Sequence, residues 1–408
     1  MYFYPADILL PKKDFERWSV VACDQYTSQP EYWAETERIV GDAPSALRLI
    51  FPEAYLGKGD KAERITAINT AMAQYKNGAV FDTLKNHFIL LERQVENGAL
   101  RRGLMGCIDL EEYSYTKGEK PLIRATEGTV LERIPPRVEI RKAAPLELPH
   151  VMILIDDPDR TVIEPLFTKD LPVCYDFELM QGGGHIKGYA LKGDVAEAIN
   201  RALAPLADPD RYEDNGTPFL FAVGDGNHSL ATAKACWELL KETLSPAELE
   251  NHPARFALVE LVNVHDTALV FEPIHRVVTD CNPEALLAKM QSFAEKQKGN
   301  NVQTVTVCHR GKQTEFTFPH ATDALTVGTL QRFLDENSEG ETDYIHGADV
   351  VMELSDREDT IGFLLPAMDK GDLFRSVVFD GALPRKTFSM GEAHEKRFYL
   401  EARAINKE

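Results

Sequence analysis

Six consecutive residues near the middle of the chain combine glycines with polar side chains that can bind an anion or transfer a proton. They are Gly224, Asp225, Gly226, Asn227, His228 and Ser229. The apolar run from Phe219 to Val223 predicts a strand covered on both faces, and a helix is predicted to begin near Leu230. A strand, a tight glycine turn and a helix expose backbone N–H groups at the positive end of the helix dipole, which favours phosphate binding.

Two interpretations of this turn stay open from its residues alone. Gly224 to Gly226 predicts the sharp turn, and Asn227 or Ser229 is expected to cap the helix. A capped junction of this kind forms without any ligand. Such a junction needs only one polar side chain, however, and this turn holds four. The surplus, with Asp225 and His228 beside the expected anion site, is what a ligand-binding or proton-transfer site would require.

The composition is that of an ordinary soluble protein with more than one domain. The chain has 408 residues, of which 44% are hydrophobic and 27% charged. A net charge of −20 without a basic stripe argues against a nucleic-acid partner. The first residues lack a signal-peptide pattern, and no apolar run approaches the roughly 18 residues of a membrane span. A cytoplasmic protein without a membrane partner is therefore expected.

The cysteines and the other metal-binding residue types show no metal-site spacing. The six cysteines are scattered, and no two of them form a C-x-x-C pair. This pattern favours reduced thiols over disulfides or a zinc site. No His, Asp and Glu set has the spacing of a tightly bound transition metal, so no metal ligand is assigned. Magnesium that accompanies a nucleotide needs only one or two carboxylates and is compatible with the sequence.

Strands and helices are mixed along the chain, so the predicted fold class is α/β with mixed α+β character. A change of composition near residue 265 predicts an N-terminal domain, residues 1–264, and a C-terminal α/β domain, residues 265–408. Residues 61–77 have helical periodicity. Glycines 182–184 lie between two strand-like segments, which favours a hairpin over a phosphate loop.

Several polar residues outside the turn are further candidates. Arg124 and Glu127 either form a simple ion pair on a helical turn or act on a ligand, with Glu127 as general base and Arg124 binding an anion. Asp24 is a candidate ligand for a substrate amine or magnesium, although loop aspartates often only stabilise turns. The basic segment around Arg137 could serve a phosphorylated ligand. His275 is interpreted as structural.

Three segments together resemble one bacterial family, domain of unknown function 1015. They are the turn at residues 224–228, the segment from Ile123 to Thr129 and the segment from Pro273 to Arg276. The resemblance covers nearly the whole chain. It implies a core like the ParB/sulfiredoxin-like fold, which includes the free serine kinase, and a nucleotide or phosphate pocket at the turn. The family usually has His and Arg where this chain has Asn227 and Ser229, so the usual cation is missing.

The resemblance implies a nucleotide-dependent phosphotransferase that acts on a small hydroxyl-bearing metabolite. The expected nucleotide is ATP or ADP, with CTP as a third candidate, and Mg²⁺ is expected to accompany it. Glu127 is predicted to activate the hydroxyl, and His228 and Asp225 to assist at the phosphoryl group. The expected nucleotide-binding residues are Gly224, Gly226, Asn227, Ser229 and Arg124, and the expected substrate-binding residues are Asp24 and Arg137.

Two other functions remain compatible with these residues. A regulatory protein would bind the nucleotide in the same pocket without phosphoryl transfer, and the missing cation favours this alternative. A DNA-associated protein of the ParB type is disfavoured by the net charge of −20. Product formation from labelled nucleotide separates the first two hypotheses. The sequence is compatible with a homodimer and does not identify the acceptor.

Overall fold

The computed structural model of the chain describes residues 1–95, 98–116, 118–168, 170–212, 216–384 and 386–406. Contacts within the chain divide it into two compact units. The first unit comprises Met1–Ala125, Thr129–Leu269 and Glu392–Glu408, and the second comprises Thr126–Gly128 and Val270–Gly391. The two domains predicted from composition, residues 1–264 and 265–408, remain a prediction. The contacts return residues 392–408 to the first unit because their strands pair there.

The first unit is built on a large mixed sheet with accessory strands. Its strands up to residue 269 are β1 (Ala6–Pro11), β2 (Val20–Val21), β3 (Phe81–Gln94), β4 (Leu100–Asp109), β5 (Tyr113–Ser114), β6 (Ile123–Ala125), β7 (Leu146–Glu147), β8 (Met152–Ile155), β9 (Val173–Leu179), β10 (Gly184–Lys192), β11 (Phe221–Asp225) and β12 (Phe256–Asn263). The ten-stranded sheet has the order β5-β6-β11-β8-β12-β4-β3-β10-β9, and β1 pairs with β3. Parallel pairs (β5–β6, β6–β11 and β8–β12) occur beside antiparallel ones.

Both faces of this sheet are buried, which explains its apolar strands. Ile89 and Leu91 of β3 belong to one hydrophobic cluster, whereas Phe88 and Leu90 belong to another. Successive residues of a strand point to opposite faces, so each cluster covers one face. The helices of this unit are α1 (Phe15–Trp18), α2 (Pro30–Val40), α3 (Lys61–Asn77), α4 (Ile134–Arg141), α5 (Ala196–Leu203), α6 (Asn227–Lys241) and α7 (Pro246–Asn251).

The second unit has its own antiparallel sheet. Its strands are β13 (Phe271–Pro273), β14 (His275–Thr279), β15 (Asn301–His309), β16 (Lys312–Ala321), β17 (Glu341–Ile345), β18 (Ile361–Leu364) and β19 (Phe388–Met390), and its helices are α8 (Pro283–Lys296), α9 (Thr326–Asn337), α10 (Ala348–Leu354) and α11 (Asp372–Asp380). Five strands form a sheet in the order β16-β15-β18-β14-β17. Phe293 of α8 and Phe333 of α9 pack with Phe318 of β16 in its main core.

The chain returns to the first unit in its last segment. Strands β20 (Phe398–Tyr399) and β21 (Arg403–Ala404) pair with β2 and β7 respectively. The Ala22 N–H donates to the carbonyl of Arg397 at 2.9 Å, which extends the β2–β20 pairing by one residue. Residues 392–404 are therefore integral to the first unit although the second unit lies before them in the sequence.

Several sequence predictions are confirmed by these elements. The fold is mixed α/β, helix α3 spans Lys61–Asn77 as predicted, and β9 and β10 form the expected hairpin around the glycines. Among the described residues, no helix has the length and apolar character that crossing a membrane requires.

Candidate functional site

The turn between β11 and α6 is tighter than the sequence predicts. Gly224 and Asp225 belong to β11, and the helix begins at Asn227, so the prediction of a start near Leu230 is wrong. The prediction of a cap from Asn227 or Ser229 is also wrong, because the N-cap position is Gly226, which makes no side-chain cap bond. Gly226 has φ of 78° in the left-handed region, and this single residue turns the strand directly into the helix.

Gly226 also allows close approach to the start of β8. A Cβ atom at this position would lie 3.0 Å from Val151 Cα and 3.4 Å from His150 Cδ2. Any larger residue would therefore crowd Val151 and would also strain the backbone at this positive φ. A glycine is required here because the first turn of α6 packs against Val151, the residue directly before β8.

The start of α6 has donor groups available for an anion. The first N–H groups of an α-helix have no partner within the helix, and here they belong to Asn227, His228 and Ser229. The first helical bond is made by the Leu230 N–H to the Gly226 carbonyl at 3.0 Å. The Gly226 N–H is taken by its neighbour, because it donates to Asp225 Oδ1 at 2.8 Å. The anion-binding character predicted for this turn therefore resides in the three helical N–H groups.

His150 connects the helix start to Tyr399 through hydrogen bonds. His150 Nε2 lies 3.1 Å from Ser229 Oγ, and Nδ1 lies 2.7 Å from the Tyr399 hydroxyl. Burial, followed by Cys23 and Asp24, raises the pKa of Tyr399 well above its usual value, so the phenol stays protonated. The phenol oxygen already accepts the Cys23 N–H at 3.3 Å, so its proton is available to His150 Nδ1.

The protonation of His150 decides the role of the Ser229 hydroxyl. When Tyr399 donates to Nδ1 of the neutral ring, the ring proton is on Nε2, and His150 donates to Ser229 Oγ. Ser229 then has its own proton free for another acceptor. In this tautomer, and equally in the protonated ring whose charge lowers the pKa of Asp24, Nε2 carries a proton, so His150 does not take the proton of Ser229. Ser229 is then a hydrogen-bond donor rather than a nucleophile.

His228 lies in the first turn of α6 as a neutral ring. Burial, followed by the charges of Arg137 and Arg133, lowers its pKa to about 4 against the opposing effect of Asp24. The Val130 N–H donates to His228 Nε2 at 3.2 Å, so the proton of the neutral ring is on Nδ1. His228 can therefore donate one neutral hydrogen bond and does not provide positive charge near pH 7.

Asp24, Asp225 and Lys396 form the charged part of the site. Lys396 Nζ lies 3.5 Å from Asp225 Oδ2. Burial alone would raise the pKa of Asp24, but His150, the Gln25 amide, a backbone N–H and Lys396 together hold it below its usual value. The Gln25 amide donates to Asp24 Oδ1 at 3.1 Å. Asp24 is thus an ionised carboxylate near His150 and Lys396, on the loop that follows β2.

The two candidate arginines are bonded to other protein groups. Arg137 of α4 pairs with Glu53 and donates to the Arg133 carbonyl at 2.8 Å. Arg124 of β6 is buried, and it donates to the carbonyls of Pro121 and Pro218 at 3.1 and 3.3 Å. Because Arg124 lies in a strand, the helical-turn pairing considered for it is wrong. Binding of an anion by either arginine remains a prediction.

Glu127 belongs to the second unit, whereas the turn belongs to the first. Glu127 forms a β-bridge with Leu383, and its charge helps to hold up the pKa of Arg276, which burial lowers to about 10. Arg276 is fully buried and donates to the Ile274 carbonyl at 2.6 Å. His275 Nδ1 accepts the Leu365 N–H at 3.1 Å, as expected for a structural histidine. The role of Glu127 as general base remains a prediction.

Three site residues were missed by the sequence analysis: His150, Lys396 and Tyr399. Sheet order brings His150 to the turn, since β8 pairs with β11. Strand β20 brings Lys396 and Tyr399, since it pairs with β2, which ends three residues before Asp24. His150 follows a proline and precedes a run of apolar residues, which is a weak signal of a polar residue at the start of a buried strand.

The site has carboxylates but no complete cage for a metal. Within the described residues, no group of three or more His, Cys, Asp or Glu side chains could hold an ion. Asp24 and Asp225 supply the hard oxygen ligands that Mg²⁺ prefers, and Mg²⁺ commonly completes its octahedron with water and phosphate oxygens. These two residues therefore fit a magnesium ion that arrives with a phosphorylated ligand and do not fit a permanent metal centre.

The fold and the site define a mixed α/β protein with polar and charged side chains at the start of one helix. The sequence matches the family described as "Protein of unknown function (DUF1015)" over residues 4–337. The chain belongs to this family, which confirms the resemblance seen in its three segments. No curated protein matches the chain.

Solved structures with similar architecture are only distantly similar. SbnI with a C-terminal truncation, from Staphylococcus aureus, has a TM-score of 0.35 and 9% identity, covering 70% of this chain and 82% of that one. A free serine kinase mutant in complex with AMP has a TM-score of 0.37 and 10% identity, covering 74% and 91%. A conserved hypothetical protein from Pyrococcus furiosus has a TM-score of 0.31 and 10% identity, covering 74% and 94%. Similarity at this level carries no argument about the ParB/sulfiredoxin-like core or the chemistry.

Proposed function

We propose that the first unit binds the phosphates of ATP or ADP at the start of α6 and transfers the terminal phosphoryl group to a hydroxyl of a small metabolite. One observation carries this proposal: helix N–H groups, a lysine and two carboxylates converge at a single helix start. Phosphoryl transfer depends mainly on positioning and charge stabilisation, and these groups supply both.

The hydrogen-bond donors for the phosphates come from the start of α6 and from Lys396, which precedes β20. The N–H groups of residues 227–229 point out of the helix start, and the Ser229 hydroxyl has its proton free in the His150 tautomer described above. His228 donates from Nδ1. Lys396 is the positive charge of the site, and its side chain is only 15% exposed, so its attraction for a phosphate is weakly screened. The charge that the phosphoryl group develops is therefore stabilised by Lys396 rather than by His228.

The two carboxylates explain why a phosphate would need a divalent cation here. Asp24 and Asp225 would repel a bare phosphate, whereas Mg²⁺ between carboxylate and phosphate oxygens converts repulsion into attraction. When bound, the ion supplies charge neutralisation at the phosphates. CTP stays a third candidate, since these residues recognise phosphates rather than a base.

Asp24 is the base that we propose for the transfer step. The acceptor hydroxyl oxygen attacks the terminal phosphorus, a new P–O bond forms, and the bond to the departing nucleotide breaks. The hydroxyl proton passes to the Asp24 carboxylate, and the leaving nucleotide takes the electron pair. Asp24 is preferred because it shares the first unit with the helix start and is an ionised carboxylate. Asp225 would then be the carboxylate that holds Mg²⁺. Glu127 remains the alternative base.

Transfer from labelled ATP, ADP or CTP to a panel of hydroxyl-bearing metabolites tests this proposal. Asp24→Asn is expected to reduce turnover by about two to four orders of magnitude, the usual contribution of a general base. Asp82→Asn, on an exposed strand position, is the matched control and should keep full activity. An equal loss in Glu127→Gln with none in Asp24→Asn would move the base to the second unit.

Ligand binding without transfer has a separate readout. A nucleotide at about a hundred times its Kd should raise the stability by about 2.7 kcal/mol, which is visible as a higher Tm. A raised Tm with no labelled product from any acceptor would instead support the regulatory alternative. No change in Tm with ATP, ADP or CTP and Mg²⁺ at millimolar concentration would contradict the site itself.

We also propose that the protein works in the cytoplasm on small molecules. All six cysteines are free thiols, which suits a reducing compartment. The net charge of −20 disfavours a nucleic-acid partner. Stability that is equal in oxidising and reducing buffer would support this location, and loss of stability on reduction would contradict it.

A further inference from the structure

An apolar pocket opens beside the start of α6 in the first unit. Its volume is about 170 Å³, and it lies between α4 and α6. The segments 49–51 and 144–151 form its remaining walls. Ser229, His150 and Tyr399 also line the pocket, so it is continuous with the candidate site. A ligand at the helix start can therefore extend a side group into this space.

The inner surface of the pocket is mostly hydrocarbon. Its apolar lining includes Leu49, Met72, Ile140, Leu146, Leu230 and Ala233. An apolar cavity of roughly 150 Å³ is large enough to hold a benzene molecule. The volume here thus suits one aromatic ring or one branched aliphatic chain.

The polar side chains that line the pocket mostly bind one another. Arg137 pairs with Glu53, and Arg141 pairs with Glu147. Thr232 donates to the His228 carbonyl at 2.7 Å, and His150 bonds both Ser229 and Tyr399. A nucleobase has several polar edge atoms, which would lose their water partners here without replacement. A hydrocarbon group loses nothing and gains from burial.

We infer that this pocket holds the hydrocarbon part of the acceptor, a hydroxyl-bearing molecule with one aromatic ring or a short branched aliphatic chain. The inference rests on the proposed function, since it names the acceptor of that reaction. The position of the hydroxyl follows from the polar part of the pocket lining. Ser229 and Cys23 belong to that lining, and Asp24 is the next residue after Cys23.

Benzyl alcohol is the probe, because it joins one aromatic ring to one hydroxyl group, and glycerol is its polar control. Binding is measured by methyl NMR of the full chain. Benzyl alcohol should shift the methyl signals of Met72, Ile140 and Leu230 in a saturable manner, and glycerol should not. Ala233→Leu fills the pocket and should weaken benzyl alcohol binding at least tenfold. Ala235→Leu, on the same helix but outside the lining, is the matched control and should bind as the parent does.

A second variant keeps the test valid if leucine at position 233 prevents folding. Ile140 is only partly buried, so Ile140→Trp fills the pocket from α4 with less risk to the core. Equal affinity for benzyl alcohol in the parent and in every folded pocket variant would overturn the inference. Faster phosphoryl transfer to benzyl alcohol than to glycerol, lost in Ile140→Trp, would support it.

The outcomes separate this inference from the proposed function. If nucleotide binds and glycerol or other polar alcohols accept phosphoryl while benzyl alcohol neither binds nor reacts, the acceptor class is wrong and the phosphotransferase stands. If benzyl alcohol binds in the pocket while no nucleotide binds at α6, the phosphotransferase is wrong and the apolar pocket is supported.

Discussion

Two groups of charged side chains in the first unit are held in different ways. One lies in the interior and consists of Arg93, Arg101, Glu260, Arg397 and Glu401, each at most 4% exposed. The other is the candidate site, whose charged residues are more accessible. Arg397 Nη1 lies 3.0 Å from Glu260 Oε2 in the interior, whereas Lys396 Nζ lies 3.5 Å from Asp225 Oδ2 in the site. The interior charges bind each other, and the site charges remain able to bind a ligand.

The interior group also holds the segment that completes the site. Arg93 donates to the carbonyls of Gly183 and His394, both at 2.9 Å. Arg397 binds both Glu260 and Glu401. These bonds fix the backbone on both sides of Lys396 and Tyr399. One short segment therefore contributes to both groups. Arg397 and Glu401 hold it in the interior, whereas Lys396 and Tyr399 belong to the candidate site.

The largest effect is expected from breaking the interior group. Glu260→Gln removes the carboxylate that faces Arg101 and Arg397, and it leaves buried positive charge without compensation. We expect the free energy of unfolding to fall by about 3–5 kcal/mol, measured by urea denaturation. Glu35→Gln breaks the exposed pair with Arg38 and should have no measurable effect. Equal stability of Glu260→Gln and the parent would show that the interior charges do not stabilise the fold more than the charges of the candidate site do.

A smaller effect, confined to ligand binding, is expected for Lys396→Met. Removing this cation should weaken ADP binding about tenfold to a hundredfold, since a hydrogen bond to a charged group contributes about 1.5–3 kcal/mol. Stability without ligand should fall by less than in Glu260→Gln, because Lys396 pairs with the partly exposed Asp225 and is not part of the interior group. Calorimetric titration measures the affinity, and Lys12→Met is the control at an exposed lysine. A large loss of stability instead would assign Lys396 to the structural group.

Tyr399→Phe tests whether the segment held by Arg397 and Glu401 contributes to ligand binding through Tyr399. The change leaves His150 Nδ1 and the Cys23 N–H without their partner in a buried region, which costs about 1–3 kcal/mol. It also frees His150 to adopt the other tautomer, so Ser229 loses its fixed role as donor and ADP binding should weaken. Urea denaturation and calorimetric titration measure the two effects, and Tyr189→Phe is a control at a partly exposed hydroxyl. Unchanged ADP affinity would contradict a role in ligand binding for the hydrogen bonds that join Tyr399, His150 and Ser229.

The smallest effect concerns the pH dependence of stability at His228. Its folded pKa is about 4, below the usual value of about 6.5, so the unfolded chain binds an extra proton between these values. Stability therefore falls as the pH falls from about 6.5 to 4. Because the ring is partly exposed, solvent screening limits the loss to about 1 kcal/mol. His228→Asn should flatten this part of the curve in urea denaturation, and parallel curves for both proteins would contradict the assignment.

Local sequence signals predicted those elements whose ends are fixed by neighbouring residues. Helix α3 begins at Lys61 because the Asp60 carboxylate accepts the N–H groups of Ala62 and Glu63. The start of α6 was predicted wrongly because a left-handed glycine can replace a capping side chain, and the sequence does not show which device is used. The polar character of the turn was visible, and its exact geometry was not.

The site depends on pairings between distant strands, which a local pattern cannot reveal. Lys396 and Tyr399 reach the first unit through the pairing of β20 with β2, across more than 370 residues. Nothing in the sequence around Tyr399 indicates this partner. The residues of the turn pointed to Asp225 and His228, but neither they nor the family resemblance could show that Glu127 belongs to the second unit. The neutral state of His228 also depends on tertiary structure, because burial, followed by the charges of Arg137 and Arg133, lowers its pKa.

The late position of β20 in the chain has a consequence for protein synthesis. Residues 1–269 emerge from the ribosome before the segment that carries Arg397 and Tyr399 has been synthesised. Until that segment emerges, Glu260 lacks its partner Arg397, and β2 lacks the strand that covers it. The first unit therefore reaches its native packing only after the second unit has been translated. Until then β2 is an unpaired strand, a feature that favours aggregation of incomplete chains.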